Sequence, residues 1–197
     1  MKFYKKTLAG ILIFLGAAVF LIGVTVAEGL HPRYSVTQAI SDLGVGSTAL
    51  IFNASIATFG LLLMAGVLLL SRDGMDKTFS GLLALTGTGA LCVGLFPETT
   101  GTSHLIAAVT VFLFGAITAV YSVKVFSAPW GWISCVLGAV SLAALILLAG
   151  NIYLGLGFGG MERMAAYPLV VWALGTGGFL MATAQEGVNK ANRSKMR

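Results

Sequence analysis

The sequence predicts an all-α membrane protein, a polytopic bundle of six transmembrane helices forming one domain over residues 1–197. Its composition is 57% hydrophobic and only 10% charged, with a mean hydropathy of +0.94, which lies outside the usage of soluble domains. The apolar residues form six continuous segments, each close to the roughly 20 residues that cross a bilayer as a helix. They lack the alternation of a membrane β-barrel. The predicted spans are residues 7–27, 49–70, 79–96, 105–123, 131–150 and 166–184.

The basic residues predict the orientation. Ten of the twelve Lys and Arg residues lie before the first span, between the second and third, after the fourth, or in the tail 185–197. Because Lys and Arg in short loops mark the cytoplasmic side, we expect both termini to be cytoplasmic and the protein to lie in the cell membrane. We also expect the first span to be retained, since it is longer than a signal-peptide core.

The positive net charge is then a product of topology. No basic stripe with interleaved aromatic residues is present, so nucleic acid is not an expected partner. Membrane lipid is the expected partner. An oligomer is compatible with the sequence, but nothing in the sequence specifies one.

The first outer connection, residues 28–48, has a helical pattern of its own. Ser35 and Gln38 fit a capping box, and Gly44 is a stop signal. Between them, apolar residues recur at helical spacing, at Val36, Ala39, Ile40 and Leu43. We predict a short amphipathic helix that lies along the membrane interface or folds back as a lid, with Asp42 directed into the mouth of the bundle.

The two later outer connections carry further ionisable residues. Glu98 and His104 lie at the ends of the third and fourth spans, and Glu162 and Arg163 precede the sixth. We expect the stretch before Glu162 to be a flexible or tightly turning loop, because it contains Gly155, Gly157, Gly159 and Gly160. The sequence does not decide whether this loop gates a pocket. No Asp, Glu, Lys or Arg lies in the middle of a span, which argues against a proton-coupled transporter or an ion channel.

Two kinds of chemistry suit this set. Carboxylates and imidazole can act as general acid and base or as ligands of a divalent metal such as Zn²⁺, although no local metal motif is present. Arginine suits bidentate binding of a lipid phosphate. The candidate catalytic residues or metal ligands are Asp42, Glu98, His104 and Glu162. The candidate ligand-binding residues are Arg33, Ser41, Asn53 and Arg163. Each of these charges can also be an ordinary solvated loop charge.

Several short motifs resemble a known family. Ile40-Ser41-Asp42-Leu43-Gly44, the later Ile51-Phe52-Asn53, Gly94-Leu95-Phe96-Pro97-Glu98, His104 and Gly160-Met161-Glu162-Arg163 occur in the order typical of the prokaryotic domain-of-unknown-function 998 family. That family has Asp where this chain has Glu98. The first two motifs are also similar to the eukaryotic Frag, DRAM and Sfk group. The resemblance implies a six-helix membrane fold and, through that group, roles in lipid handling, and it carries over no established catalytic residue.

Three functions follow as hypotheses. The first is an outward-facing polar pocket that binds a lipid head group or a similar amphiphile, in lipid handling or remodelling. The second is a metal-assisted intramembrane hydrolase or acyltransferase acting on a lipid. The third is a structural or regulatory scaffold. The sequence does not decide whether the protein is an enzyme. Convergence of the outer acidic and imidazole side chains in one concavity would favour the first two, and their separation in bulk water would favour the third.

Overall fold

The computed structural model describes residues 2–195, and within them it contains helices and no strands. Six of the helices are long and apolar enough to cross a membrane, so this is a multi-pass membrane protein. The six-helix prediction is confirmed. The helices are α1 (Lys2–Leu30), α2 (Ala49–Arg72), α3 (Lys77–Leu95), α4 (Thr102–Tyr121), α5 (Trp130–Ala149) and α6 (Gly157–Lys195).

Consecutive helices pack against one another, and α1 also packs along α6, which closes the bundle. Gly10 near the start of α1 contacts Gly177 late in α6, whereas Glu28 at the end of α1 pairs with Arg163 early in α6. These two helices are therefore antiparallel. We call the end of the bundle that contains Glu28 and Arg163 the polar end, and the opposite one the basic end.

Glycines allow the helix backbones to approach closely. A Cβ atom on Gly60 of α2 would lie 2.4 Å from the backbone nitrogen of Leu91 in α3. One on Gly89 of α3 would lie 2.5 Å from the backbone nitrogen of Val111 in α4. In a bilayer, such contacts replace the hydrophobic drive for association that lipid cannot provide. Gly178 is an exception, since nothing lies within 4 Å of a Cβ placed there.

The connection between α1 and α2 differs from the prediction. Its helical structure is confined to two 3₁₀ helices, Ser41–Gly44 and Gly46–Thr48, and residues 31–40 form turns, bends and irregular backbone. The Gln38 side chain accepts the Ser35 backbone N–H at 2.7 Å, as a capping box requires, but it closes a turn and no α-helix follows. Arg163 and Glu162 of α6 instead bind backbone carbonyl and N–H groups of this connection, which an α-helix would have paired with each other. Gly44 does end a helical element, as predicted.

Helix α6 is longer than predicted at both ends. It begins at Gly157, so the glycine-rich stretch from Gly157 onwards and the Glu162–Arg163 pair are helical and do not form a loop. Pro168 lies inside the helix. The helix also continues through much of the basic tail, to Lys195. Packing explains the early start, because the connection 31–48 lies directly on the first turn of α6.

Gly159 is required by that packing. Its N–H donates to the Thr37 carbonyl at 2.9 Å, and a Cβ atom on it would lie 1.7 Å from the Gln38 carbonyl oxygen. Backbone cannot move aside as a flexible side chain can. The glycine therefore marks where a loop crosses a helix at backbone distance.

We predict that Gly159→Ala destabilises the protein by about 1–3 kcal/mol, the usual cost of overpacking. The matched control is Gly178→Ala on the same helix, where the methyl group meets open space. It should be neutral or stabilising by up to about 1 kcal/mol, because Ala is the better helix former. Thermal unfolding of both variants in the same detergent tests this. Equal melting temperatures would contradict the close approach of residues 37–38 to α6.

Candidate functional site

The guanidinium of Arg163 organises the polar end. Its Nη2 atom pairs with the Glu28 carboxylate at 2.5 Å and donates to the Tyr34 hydroxyl at 2.6 Å. Its Nη1 atom donates to three backbone carbonyls at 2.9–3.1 Å, those of Val36, Gln38 and Gly159. The Tyr34 hydroxyl in turn donates to the Ala39 carbonyl at 2.9 Å. We call this group the Arg163 clamp, because it fastens the connection after α1 onto α6.

The clamp changes the interpretation of the two outer arginines. The Arg163 side chain is only 11% exposed, and its hydrogen bonds go to the protein itself. Arg33 is exposed in a turn, with a φ of 63°. Neither arginine lines either of the two cavities at the polar end. The geometry gives Arg163 a structural role and places Arg33 outside the site. Direct ligand binding by either residue stays a prediction.

Glu162, next to Arg163 on α6, holds the following part of the same connection. It is only 8% exposed, and its Oε2 atom accepts the Ile40 backbone N–H at 2.6 Å. A buried carboxylate is costly unless it is hydrogen-bonded. Since Ile40 directly precedes the Ser41–Gly44 3₁₀ helix, this bond positions Ser41 and Asp42 at the polar end. Oε1 is the oxygen of Glu162 that remains for a ligand.

Glu98 comes from the short 3₁₀ helix between α3 and α4 and meets the first connection. Its carboxyl group lies close enough to Asp42 and Ser41 for both to affect its protonation. Partial burial, together with the hydrogen bond and charge of Asp42, raises the pKa of Glu98 above its ordinary value. The Ser41 hydrogen bond and the nearby His104 act in the opposite direction on that pKa. The fold therefore brings together two carboxyl groups that are 56 positions apart, at 42 and 98.

His104 lies in the first turn of α4, as predicted, and is 9% exposed. Its Nδ1 atom is 2.8 Å from the Phe96 carbonyl oxygen at the end of α3. A carbonyl can only accept, so Nδ1 carries the proton and donates. In the neutral ring Nε2 is then a hydrogen-bond acceptor. The α3–α4 connection thus fixes both the tautomer and the orientation of the imidazole.

Asn53 supports the site from α2. Its Nδ2 atom donates to the Gly44 carbonyl at 2.9 Å, which ties the end of the Ser41–Gly44 helix to α2. Its Oδ1 atom is buried and has no hydrogen-bond partner among residues 2–195. A Cβ atom on Gly44 would lie 2.7 Å from that oxygen, so the glycine permits the contact. The structure places Asn53 behind the site rather than in it.

Two neighbouring cavities meet at the polar end. A narrow chamber of about 50 Å³ lies inside the bundle, and a cleft of about 330 Å³ lies between α4, α5 and the start of α6. Leu105 and Phe158 line the cleft and are 61% and 45% exposed on the outer surface of the bundle. Three polar residues line both cavities, and we call them the polar rim: Ser41, His104 and Glu162. Glu98 lines the cleft but not the chamber.

The arrangement therefore unites most of the predicted site. Ser41, Asp42, Glu98, His104 and Glu162 converge from three separate parts of the chain. Hydropathy did not reveal the apolar members, Ala108 and Phe112, which line both cavities beside the rim. Nor did it reveal the clamp residue Tyr34. Such residues resemble ordinary core or loop residues, and only their neighbours in space distinguish them.

A metal centre is not supported. Over the part of the chain that the structure describes, no group of three or more His, Cys, Asp or Glu side chains is arranged to hold a metal ion. Catalytic zinc sites commonly use three protein ligands. The convergent residues are better suited to hydrogen bonding and to charge than to coordination.

A family model described as "Protein of unknown function (DUF998)" matches residues 14–177. The chain belongs to the DUF998 family. The DUF998 match includes the whole polar rim and the Arg163 clamp, so both lie within the family's common region. A search of the curated proteins found no match, and a search of the solved structures found none. The similarity to the Frag, DRAM and Sfk group is not confirmed by these comparisons and stays a prediction.

We predict that Arg163→Gln lowers the free energy of unfolding by about 3 kcal/mol, the lower end for breaking a buried ion pair, because Glu28 is 26% exposed. Arg33→Gln is the matched control and should change stability by about 0.5 kcal/mol or less. Thermal or denaturant unfolding in detergent measures both. If Arg163→Gln were as stable as the wild type, the clamp would not hold the polar end.

We further predict that Glu98→Gln stabilises the protein at neutral pH. The folded state binds the Glu98 proton more tightly than the unfolded chain, so the stabilisation due to Glu98 is greatest below its ordinary pKa of 4.5 and is lost as pH rises through the raised value. The melting temperature of the variant should match that of the wild type at about pH 4 and exceed it at about pH 7. Glu186→Gln, at an exposed position late in α6, should show no such divergence. Parallel pH profiles would exclude the Asp42–Glu98 interaction.

Proposed function

We propose that this protein binds the head group of a membrane amphiphile at its polar end, as part of lipid handling or remodelling. The observation that carries the proposal is the polar rim, since Ser41, His104 and Glu162 line both the internal chamber and the lateral cleft. A head group at the rim would have its apolar chain in the cleft. The ligand would reach the rim sideways, without leaving the bilayer.

The walls of the cleft support this mode of binding. Leu105, Val109, Leu145, Leu148 and Phe158 form an apolar surface leading to the rim. The cleft volume, about 330 Å³, is near the lower end of the range of small-molecule sites, about 300–1,000 Å³. Such sites are mostly apolar with a few convergent polar groups. A single alkyl chain with a compact head group suits this space.

The free-energy cost of burying ionisable side chains also supports a binding role. His104 and Glu162 are almost fully buried at one end of a membrane bundle, where ionisable side chains are expensive and usually functional. Glu162 holds the Ile40 N–H through one oxygen only. A ligand that uses the remaining acceptors explains why these residues are present.

The orientation is part of the proposal. Ten of the twelve Lys and Arg residues belong to segments at the basic end or in the tail, and positive charge in short loops favours the cytoplasmic side. We therefore place both termini in the cytoplasm and the polar rim near the outer leaflet of the cell membrane. Single-cysteine labelling with a membrane-impermeant maleimide tests this. Substitution to Cys at Ser47 should be labelled in intact cells and at Ser71 only after permeabilisation, and the reverse pattern would overturn the orientation.

Bound amphiphile is measured by native mass spectrometry of protein extracted in a mild detergent. Ala108 lines both cavities, so Ala108→Trp should fill the junction and lower amphiphile retention at least about tenfold, equivalent to about 1.4 kcal/mol. The control is Ile106→Trp, which adds the same ring on the lipid-facing side of α4, where Ile106 is 63% exposed. Equal retention by the two variants, or no amphiphile on the wild type, would overturn the proposal.

A further inference from the structure

With the His104 ring neutral, the charges that face the two cavities are all negative. Carboxylates of Glu98 and Glu162 line them, and Asp42 lies beside Glu98. The residues that line the chamber and the cleft include no Lys or Arg. Arg163, the nearest guanidinium, is already paired with Glu28 and with backbone carbonyls. An anionic head group at the rim would therefore meet like charges without a cation to bind it.

The groups that remain for a ligand are acceptors. Glu162 uses Oε2 for the Ile40 N–H, which leaves Oε1. His104 uses Nδ1 for the Phe96 carbonyl, which leaves Nε2 of the neutral ring as an acceptor in a side chain that is more than nine-tenths buried. Glu98 adds a carboxylate on the cleft side. The rim thus offers several hydrogen-bond acceptors and negative charge at the inner end of an apolar cleft.

Resting on the proposed function, we propose that the head group recognised at the rim is a primary ammonium carried on an alkyl chain. An ammonium group has three N–H donors, no acceptor and one positive charge, which complements these acceptors in number and sign. A quaternary ammonium has the charge but no donor, and proteins bind it with aromatic cages rather than with carboxylate and imidazole acceptors. A hydroxyl has a donor but no charge.

Four probes with the same dodecyl chain test the inference on the full-length protein in maltoside detergent at about pH 8, which favours the ionised carboxylates over the neutral acids. They are dodecylammonium, dodecyltrimethylammonium, dodecanol and dodecyl phosphate, titrated by calorimetry. Dodecylammonium should bind at least about tenfold more tightly than each of the others, since hydrogen bonds to charged groups contribute most. An ethanolamine lysophospholipid, added as a fifth probe, tells whether a phosphate beside the ammonium is tolerated, and so whether the source is a phospholipid or a phosphate-free amine.

Substitution of the buried carboxylate tests the site directly. Glu162→Gln keeps an oxygen for the Ile40 N–H but removes the charge, so the preference for dodecylammonium over dodecanol should fall at least about tenfold. Glu186→Gln makes the same change on an exposed part of the same helix and should keep the preference. If Glu162→Gln does not fold, Glu98→Gln at the cleft provides the same test of charge.

The outcomes separate the two proposals. Tighter or equal binding of dodecyl phosphate or dodecyltrimethylammonium, lost in Ala108→Trp, would overturn the ammonium inference and leave amphiphile binding at the cleft intact. If all four probes bind and Ala108→Trp does not weaken their binding, or if none of them binds, both proposals are overturned. A preference for dodecylammonium that is lost in Ala108→Trp and reduced in Glu162→Gln supports both.

Discussion

The polar end of this protein depends on two neighbouring side chains of α6, Glu162 and Arg163, which both bind the backbone of the connection after α1. Arg163 holds the carbonyls of Val36 and Gln38, and Glu162 holds the N–H of Ile40. Isolated buried charges are costly, but here each has hydrogen-bond partners, and Arg163 also has a counter-charge in Glu28. The result is a connection that lies across the bundle in one defined position, with Gly159 beneath it.

That position creates the site. The Ser41–Gly44 3₁₀ helix begins directly after the Ile40 contact, and Asn53 holds its other end through the Gly44 carbonyl. Ser41 and Asp42 consequently meet Glu98 from the α3–α4 connection, while the Phe96 carbonyl orients His104. A residue such as Arg163 can thus be essential to the site without touching a ligand. Its chemistry resembles that of a phosphate-binding arginine, but its partners are internal.

The surroundings of the cleft depend on whether the protein lies in water or in a membrane. A cleft lined by leucine and phenylalanine on the outer surface of a soluble protein would be an exposed apolar patch, whereas in a bilayer it is solvated by acyl chains. The costly part is instead the polar rim at its inner end, since buried ionisable groups in membranes require partners. Leu105 and Phe158 lead along the cleft to His104 and Glu162, and the proposed binding of an amphiphile rests on this arrangement.

Hydropathy and charge in the sequence were enough to predict the six helices, the basic end and a set of candidate site residues, because a transmembrane helix satisfies its own backbone and its hydropathy is a local property. Long-range packing, in contrast, prevents residues 36–43 from forming an amphipathic helix, starts α6 at Gly157, and places Arg163 and Asn53 as supports outside the site. Arg163 lies 127 residues from Val36 in the chain. No periodicity or short motif reports a hydrogen bond over that separation, and such contacts override the local propensity of the connection.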